Sequence, residues 1–125
     1  MPFEIKETRE LAAIEVRLWG SVDGADIRAL AAAVIGLGKT SGLRRVLVDC
    51  REYLGGAGFR EVLSLTKDVM ERPAEERGRE AFIAPRDPYA AADVTFYIHT
   101  ANSLGSTARM FTSGEEAVGW LTRPG

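Results

Sequence analysis

Hydrophobic and polar positions alternate at the start of the chain and then repeat at helical spacing. Apolar residues occupy every second position in the segment 11–19, which predicts a half-buried strand. A shorter candidate strand covers 3–8, and the short step between the two suits a hairpin. Asp23 can then cap a helix, because apolar residues recur every three or four positions over 27–37.

The middle of the chain contains the most continuous apolar segment. Residues 45–50 have an unbroken β-branched and apolar centre, which predicts a strand covered on both faces in the middle of a sheet. A glycine-rich loop follows at 54–58, and a helical pattern over 59–70 is brought to a stop by Pro73. The mixed charges of the segment 71–80 predict a solvated connection.

The last third alternates in the same way. A short apolar strand is predicted over 81–84, a helix over 90–104 and a strand over 107–111. Ser113 and Glu116 have the spacing of a capping box that opens a final helix. The order ββαβαβαβα predicts an α/β fold with a mostly parallel sheet of about five strands, because alternating strands and helices require crossover connections.

Composition narrows the class of protein. With 125 residues, 46% of them hydrophobic and 27% charged, the chain suits a single domain, 1–125, with an ordinary core. Its 16 basic and 18 acidic residues are spread along the sequence and leave a net charge of −2. Nucleic acid is therefore not an expected partner, because no cationic stripe is present to bind phosphates.

Targeting and metal-binding patterns are absent from the sequence. No segment has the apolar core of a signal peptide or the roughly 18 apolar residues of a membrane span, so a cytoplasmic protein without a transmembrane segment is expected. The single cysteine, Cys50, and the single histidine, His99, provide neither an internal disulfide nor a zinc-binding cluster. We expect no metal and no cofactor.

Four segments make the chain resemble a known family. These segments are Gly20–Asp23, Val46–Asp49, Ala81–Ala84 and Phe111–Leu121. Through them the chain is similar, over nearly its whole length, to the bacterial SpoIIAA-like group of STAS-type domains, a fold also related to the lipid-carrying CRAL-TRIO domain. The resemblance implies the same α/β fold and a regulatory or protein-binding role.

One loop departs from that family's pattern. Anti-sigma antagonists of the STAS class have an Asp-Ser-Ser/Thr-Gly segment, in which a hydroxyl is phosphorylated, where their second helix begins. By position this segment corresponds to Gly55-Gly56-Ala57-Gly58, in which only the final glycine matches. Phosphorylation requires a hydroxyl oxygen, so the resemblance implies a module without this switch.

The same loop is a candidate ligand site. Gly55, Gly56 and Gly58 precede a helix at the carboxyl end of a central strand, where free backbone N–H groups favour an anion. The spacing matches neither a P-loop nor a dinucleotide-binding fingerprint. The alternative is a tight loop that needs glycine backbone angles.

Three residues at the predicted end of the central strand are further candidates for ligand binding. Cys50 beside Arg51 is conceivable as an activated thiolate, although a cysteine that ends a buried strand is more commonly a small apolar filler. Asp49 is expected to cap or brace the following turn more readily than to act as an acid.

The helix over 90–104 offers a candidate interaction surface. His99 falls on its polar side, and helical spacing places Phe96 among polar neighbours, away from the core. The two side chains are candidates for a subunit or partner contact, and the alternative is ordinary surface exposure. A two-fold homodimer is expected only because it is the commonest assembly.

The sequence thus predicts binding rather than catalysis, since no complete nucleophile, acid–base or metal set is present. The leading hypothesis is a non-enzymatic regulatory or protein-interaction module. The alternative is a small carrier or sensor of a lipid or other apolar anion, which requires an internal cavity. An enzyme that uses Cys50 or Asp49 is a third hypothesis, because fold does not fix function.

Overall fold

A computed structural model describes residues 2–124, which form five strands and four α-helices. The strands are β1 (Phe3–Thr8), β2 (Ala13–Gly20), β3 (Arg45–Tyr53), β4 (Arg79–Ile83) and β5 (Thr107–Phe111). The helices are α1 (Gly24–Ser41), α2 (Phe59–Met70), α3 (Pro88–Ser103) and α4 (Gly114–Leu121), and a 3-10 turn lies at Ala74–Glu76. The predicted order of strands and helices is confirmed.

The strands form one sheet in the order β1-β2-β3-β4-β5. β1 pairs with β2 antiparallel, and the remaining pairs are parallel, which confirms the predicted hairpin and mostly parallel sheet. Among the described helices, none is both long and apolar enough to span a bilayer.

The two faces of the sheet are covered unequally. Helices α1, α2 and α3 cover one face over the larger core cluster, to which Val46 and Val48 of β3 contribute. Helix α4 covers part of the other face over a smaller cluster that includes Leu47 and Leu121. The centre of β3 is therefore buried on both faces, as its unbroken apolar sequence predicted.

Strand β3 is three residues longer than predicted. Its pairing with β2 shifts register, so that Arg17 lies opposite Asp49 but Trp19 lies opposite Glu52. The extra residue in β3 is a bulge, which returns the side chain of Tyr53 to the face that also buries Cys50. Alternation alone would have directed these two side chains to opposite faces.

The prediction of a solvated connection over 71–80 is wrong at its end. β4 begins at Arg79, and Glu80 pairs in register with Val46 of β3 and Ala108 of β5. Gly78 permits this approach, because a Cβ there would lie 2.6 Å from the carbonyl oxygen of Arg44. The start of β4 differs from the prediction because its first residues are charged, whereas the predicted strand was based on apolar residues.

Candidate functional site

A cavity of about 120 Å³ lies between the sheet and the helices α1, α2 and α3. Most of its wall is apolar, with side chains contributed by β2, β3 and all three helices. Representative lining residues are Val16, Ile27, Leu30, Val48, Val62 and Val94. Polar side chains occur at its two ends, which are here called the amino end and the carboxyl end after the direction of the parallel strands.

Glu80 is the central polar residue of the amino end. Its carboxylate accepts hydrogen bonds from the Tyr97 hydroxyl, at 3.0 and 2.9 Å, and from the Ser106 hydroxyl at 3.3 Å. Burial raises the pKa of Glu80, although the hydrogen bonds from Tyr97 and Ser106 act in the opposite direction. Burial and the neighbouring Glu80 charge also raise the pKa of Tyr97.

Two half-buried arginines line the amino end beside Glu80. Arg72 donates through Nη2 to the carbonyl oxygen of Glu76 at 2.7 Å, and Arg77 donates through Nη1 to the sulfur of Met70 at 3.4 Å. Within the part of the chain that is described, the buried Nε atoms of Arg72 and Arg77 have no hydrogen-bond partner. The amino end therefore combines positive charge with two donors that lack an acceptor.

The carboxyl end contains a second tyrosine–carboxylate pair. The Tyr53 hydroxyl donates to Asp93 Oδ2 at 3.2 Å, and burial together with the Asp93 charge raises the pKa of Tyr53. Cys50 lies at this end of the cavity wall and is fully buried. Burial also raises the pKa of its thiol, and the Asp49 charge adds to this effect.

The structure does not bring the three predicted residues Asp49, Cys50 and Arg51 to one place. Cys50 faces the cavity, whereas Asp49 and Arg51 line a groove on the opposite face of the sheet. The interpretation of Cys50 as a thiolate activated by Arg51 is wrong, because the thiol is buried and its pKa is raised. The apolar-filler alternative fits its surroundings.

Asp49 lies within β3 and not before a turn, but it braces the backbone there, since the Arg51 N–H donates to Asp49 Oδ1 at 3.1 Å. It forms an ion pair with Arg51, whose Nη2 lies 2.9 Å from Asp49 Oδ2. The hydrogen bond from Arg51 lowers the pKa of Asp49, and partial burial opposes this shift.

The conformation of the glycine-rich loop is defined by backbone angles and backbone hydrogen bonds. Gly55, Gly56 and Gly58 have positive φ angles of 90°, 109° and 81°, which favour glycine over other residues. The loop joins the β2–α1 connection, since Val22 N–H donates to Gly55 O and Leu54 N–H donates to Gly20 O, both at 2.9 Å. These contacts fit the tight-loop alternative, and anion binding at the loop stays a prediction.

The candidate interaction residues on α3 are placed differently from each other. His99 is exposed, as expected. The prediction that Phe96 points away from the core is wrong: it is half-buried against the larger cluster, and its ring centroid lies 4.3 Å from that of Phe59. Helix α3 packs against both the sheet and α2, so its apolar arc is wider than predicted.

Sequence reasoning missed the amino end of the cavity. Glu80 falls within the predicted solvated connection over 71–80, and Arg72, Arg77 and Tyr97 are not among the predicted site residues. Extending the alternation of β4 backwards from Phe82 would have placed Glu80 on the same face. Within residues 2–124, no three His, Cys, Asp or Glu side chains converge as a possible metal site.

No protein-family model matches this chain, and no curated protein sequence matches it. Its structure is similar to the anti-sigma factor antagonist SpoIIAA in its unphosphorylated form, with a TM-score of 0.65 and 15% identity over 93% of this chain and 92% of that chain. An uncharacterized DUF3478-family protein with a SpoIIAA-like fold from Shewanella loihica PV-4 gives a TM-score of 0.62 and 16% identity, over 95% and 91% of the two chains.

The phosphorylated form of the Bacillus cell-fate determinant SpoIIAA gives a TM-score of 0.55 and 14% identity, over 94% of this chain and 97% of that chain. The chain therefore has the STAS-like, SpoIIAA-like fold that its sequence segments resemble. At these identities the similarity defines the fold alone.

Proposed function

We propose that this protein is a non-enzymatic interaction module that binds another protein through an aromatic patch, defined as Phe59, Phe96 and His99. The observation that carries the proposal is the Phe59 ring, which is 64% exposed although it packs at a tilt against the Phe96 ring between α2 and α3. Exposed apolar surface of this kind is stabilised when a partner covers it, and aromatic residues are enriched at protein interfaces.

The non-enzymatic part of the proposal rests on the separation of the reactive side chains. Cys50 is fully buried below the helices, while His99 is exposed on the outer side of α3. A nucleophile requires a base within hydrogen-bond reach, and these two residues do not provide that pair.

SpoIIAA is known in unphosphorylated and phosphorylated forms. In this chain the loop at the start of α2, Gly55–Gly58, has no side-chain hydroxyl to accept a phosphoryl group. We therefore expect partner binding that is not switched by phosphorylation of this loop.

Site-specific photo-crosslinking in the source cells tests the proposed surface. A photoreactive amino acid is introduced at His99, and a control is introduced at Glu115, which is exposed on α4 at the opposite face of the sheet. We expect discrete protein adducts from position 99 and none from position 115. Equal adducts at both positions, or none at position 99, would contradict the proposal.

A pair of substitutions separates the patch from general apolar exposure. Phe59→Ser should abolish the adducts from position 99, because it removes the exposed ring of the patch. Leu104→Ser is the matched control, since Leu104 is 52% exposed at the far end of α3. Loss of the adducts in both variants would show that the patch itself is not the binding surface.

A second candidate function is a small carrier or sensor of an apolar anionic ligand. The cavity of about 120 Å³ favours it, because ligand sites are apolar concavities with a few polar groups. Native mass spectrometry of gently purified protein should then detect a discrete small-molecule adduct. An unliganded spectrum, together with no binding of any added apolar acid, would reject this function.

A further inference from the structure

The two ends of the cavity differ in charge. Arg44, Arg72 and Arg77 line the amino end around the single carboxylate of Glu80. Asp93 lies at the carboxyl end, where the lining has no arginine. Three arginines outnumber the one Glu80 carboxylate at the amino end, so an anion in the cavity is favoured there over the carboxyl end, where no arginine offsets the repulsion from Asp93.

The same arginines have unused hydrogen-bond donors. The Nε atoms of Arg72 and Arg77 are buried and, among the described residues, find no acceptor. Buried N–H groups in folded proteins almost always have a partner, and a guanidinium matches the two oxygens of a carboxylate. An acceptor from outside the chain, either a ligand carboxylate or water, would satisfy these donors.

The volume of the cavity limits the rest of the ligand. An apolar cavity of about 150 Å³ stays dry and binds benzene. The present volume of about 120 Å³ therefore suits a hydrocarbon tail of about four or five carbons. A long acyl chain exceeds this space.

We propose that the cavity binds a small monocarboxylate, with its carboxylate on the Nε–H groups of Arg72 and Arg77 and its short hydrocarbon tail between the sheet and α1–α3. The proposal rests on the second candidate function and adds to it the charge, length and orientation of the ligand. Arg44 is exposed and Arg72 and Arg77 are half-buried, so the amino end of the cavity borders the solvent.

Isothermal titration calorimetry of the full chain with three probes tests the ligand chemistry. Pentanoate has the proposed charge and length, pentanamide keeps the length without the charge, and dodecanoate keeps the charge with a longer tail. We expect pentanoate to bind at least about tenfold more tightly than either of the others, because a charged hydrogen-bonding group gains more at the arginines and the cavity is short.

Three variants test the orientation of the probe. Arg77→Gln should raise the dissociation constant of pentanoate about tenfold or more. Arg60→Gln is the matched control, since it removes the same charge from an exposed position on α2, and it should change that constant less than about twofold. Ala31→Leu places a larger side chain at the half-buried cavity wall and should abolish binding, while a thermal melt checks that the fold is retained.

The outcomes distinguish failure of the proposed ligand chemistry from failure of the carrier function. Equal binding of pentanoate and pentanamide, or equal losses in Arg77→Gln and Arg60→Gln, overturns the assignment of the carboxylate while a carrier function survives. Preferential binding of dodecanoate overturns the limit on length in the same way. No heat with any probe at millimolar concentration overturns this inference and assigns the arginine donors to water, whereas the carrier function is rejected only if native mass spectrometry also detects no small-molecule adduct.

Discussion

Each end of the cavity contains a tyrosine that donates a hydrogen bond to a carboxylate, but the surroundings of the two pairs differ. Tyr97 and Glu80 at the amino end are joined by contacts of 2.9 and 3.0 Å and lie beside arginines with unused donors. Tyr53 and Asp93 at the carboxyl end are joined by one contact of 3.2 Å. Beside this pair, backbone hydrogen bonds join the glycine loop to the β2–α1 connection.

The comparison shows why a positional rule is a weak guide to this site. Parallel sheets usually place ligands at the carboxyl ends of their strands, and that expectation directed attention to Asp49–Arg51 and the glycine loop. Among the described residues, the buried donors without acceptors that line the cavity, Arg72 Nε and Arg77 Nε, lie at the opposite end. Our proposal for the ligand therefore follows these donors and not the usual position in the fold.

The largest expected effect concerns the backbone at the amino end. Gly78→Ala should lower the free energy of unfolding by about 2–3 kcal/mol, because its Cβ would lie 2.6 Å from the Arg44 carbonyl oxygen. Urea denaturation measures the change. Gly119→Ala in α4 is the control, since a Cβ there meets nothing within 4 Å. This variant should raise the free energy of unfolding by about 0.5–1 kcal/mol. Equal stability of both variants would refute the close approach of β4 to Arg44.

Substitution of the two tyrosines compares the two ends of the cavity directly. Tyr97→Phe should lower the free energy of unfolding by about 2 kcal/mol at neutral pH, because it leaves the buried Glu80 carboxylate without its main donor. Tyr53→Phe removes a single longer hydrogen bond and should cost about 1 kcal/mol. Urea denaturation of both variants checks the order, and a larger loss in Tyr53→Phe would reverse the comparison.

The pH dependence of stability isolates Glu80. Its pKa is raised in the folded chain, so the unfolded chain releases this proton at a lower pH than the folded chain does. The Glu80 contribution to stability is therefore greatest at acidic pH and is lost as the pH rises through the raised pKa. Glu80→Gln should remove this loss of stability at higher pH, whereas Asp93→Asn should retain it. The change in the free energy of unfolding across this pH range should be smaller than the change caused by Tyr97→Phe. Identical pH profiles of wild type and Glu80→Gln would contradict the burial of this carboxylate.

The smallest effect is expected at the ion pair between Asp49 and Arg51, two of the predicted ligand candidates. Asp49→Asn should change the free energy of unfolding by less than about 0.5 kcal/mol at pH 7, because its partner Arg51 is exposed on the open face of the sheet. Chemical denaturation at low and high salt measures the difference. A loss comparable to that of Tyr97→Phe would show that this pair stabilises the fold as strongly as the amino end does.

Much of the fold can be predicted from the local pattern of apolar residues, whereas the candidate site depends on which segments meet in the folded chain. The bounds of β1, α2 and β5 agree with the sequence prediction, since apolar periodicity is strong there. The end of β3 was missed because a bulge interrupts alternation, and the start of β4 because its first residues are charged.

The amino end of the cavity required knowledge of which segments meet. Arg72 and Arg77 lie in the connection before β4, Glu80 lies on β4 and Tyr97 lies on α3. The packing of α3 over the sheet brings Tyr97 to Glu80. Phe96 was misplaced for a related reason, since the packing of α3 on α2 is a tertiary contact that helical periodicity does not predict.

Native mass spectrometry of the untagged protein, purified gently from its own source beside the Phe59→Ser variant, tests partner binding through the aromatic patch. We expect a species with the added mass of a partner protein in the wild type and its absence in the variant. A bare monomer in both preparations, or the same complex in both, would contradict binding through the aromatic patch.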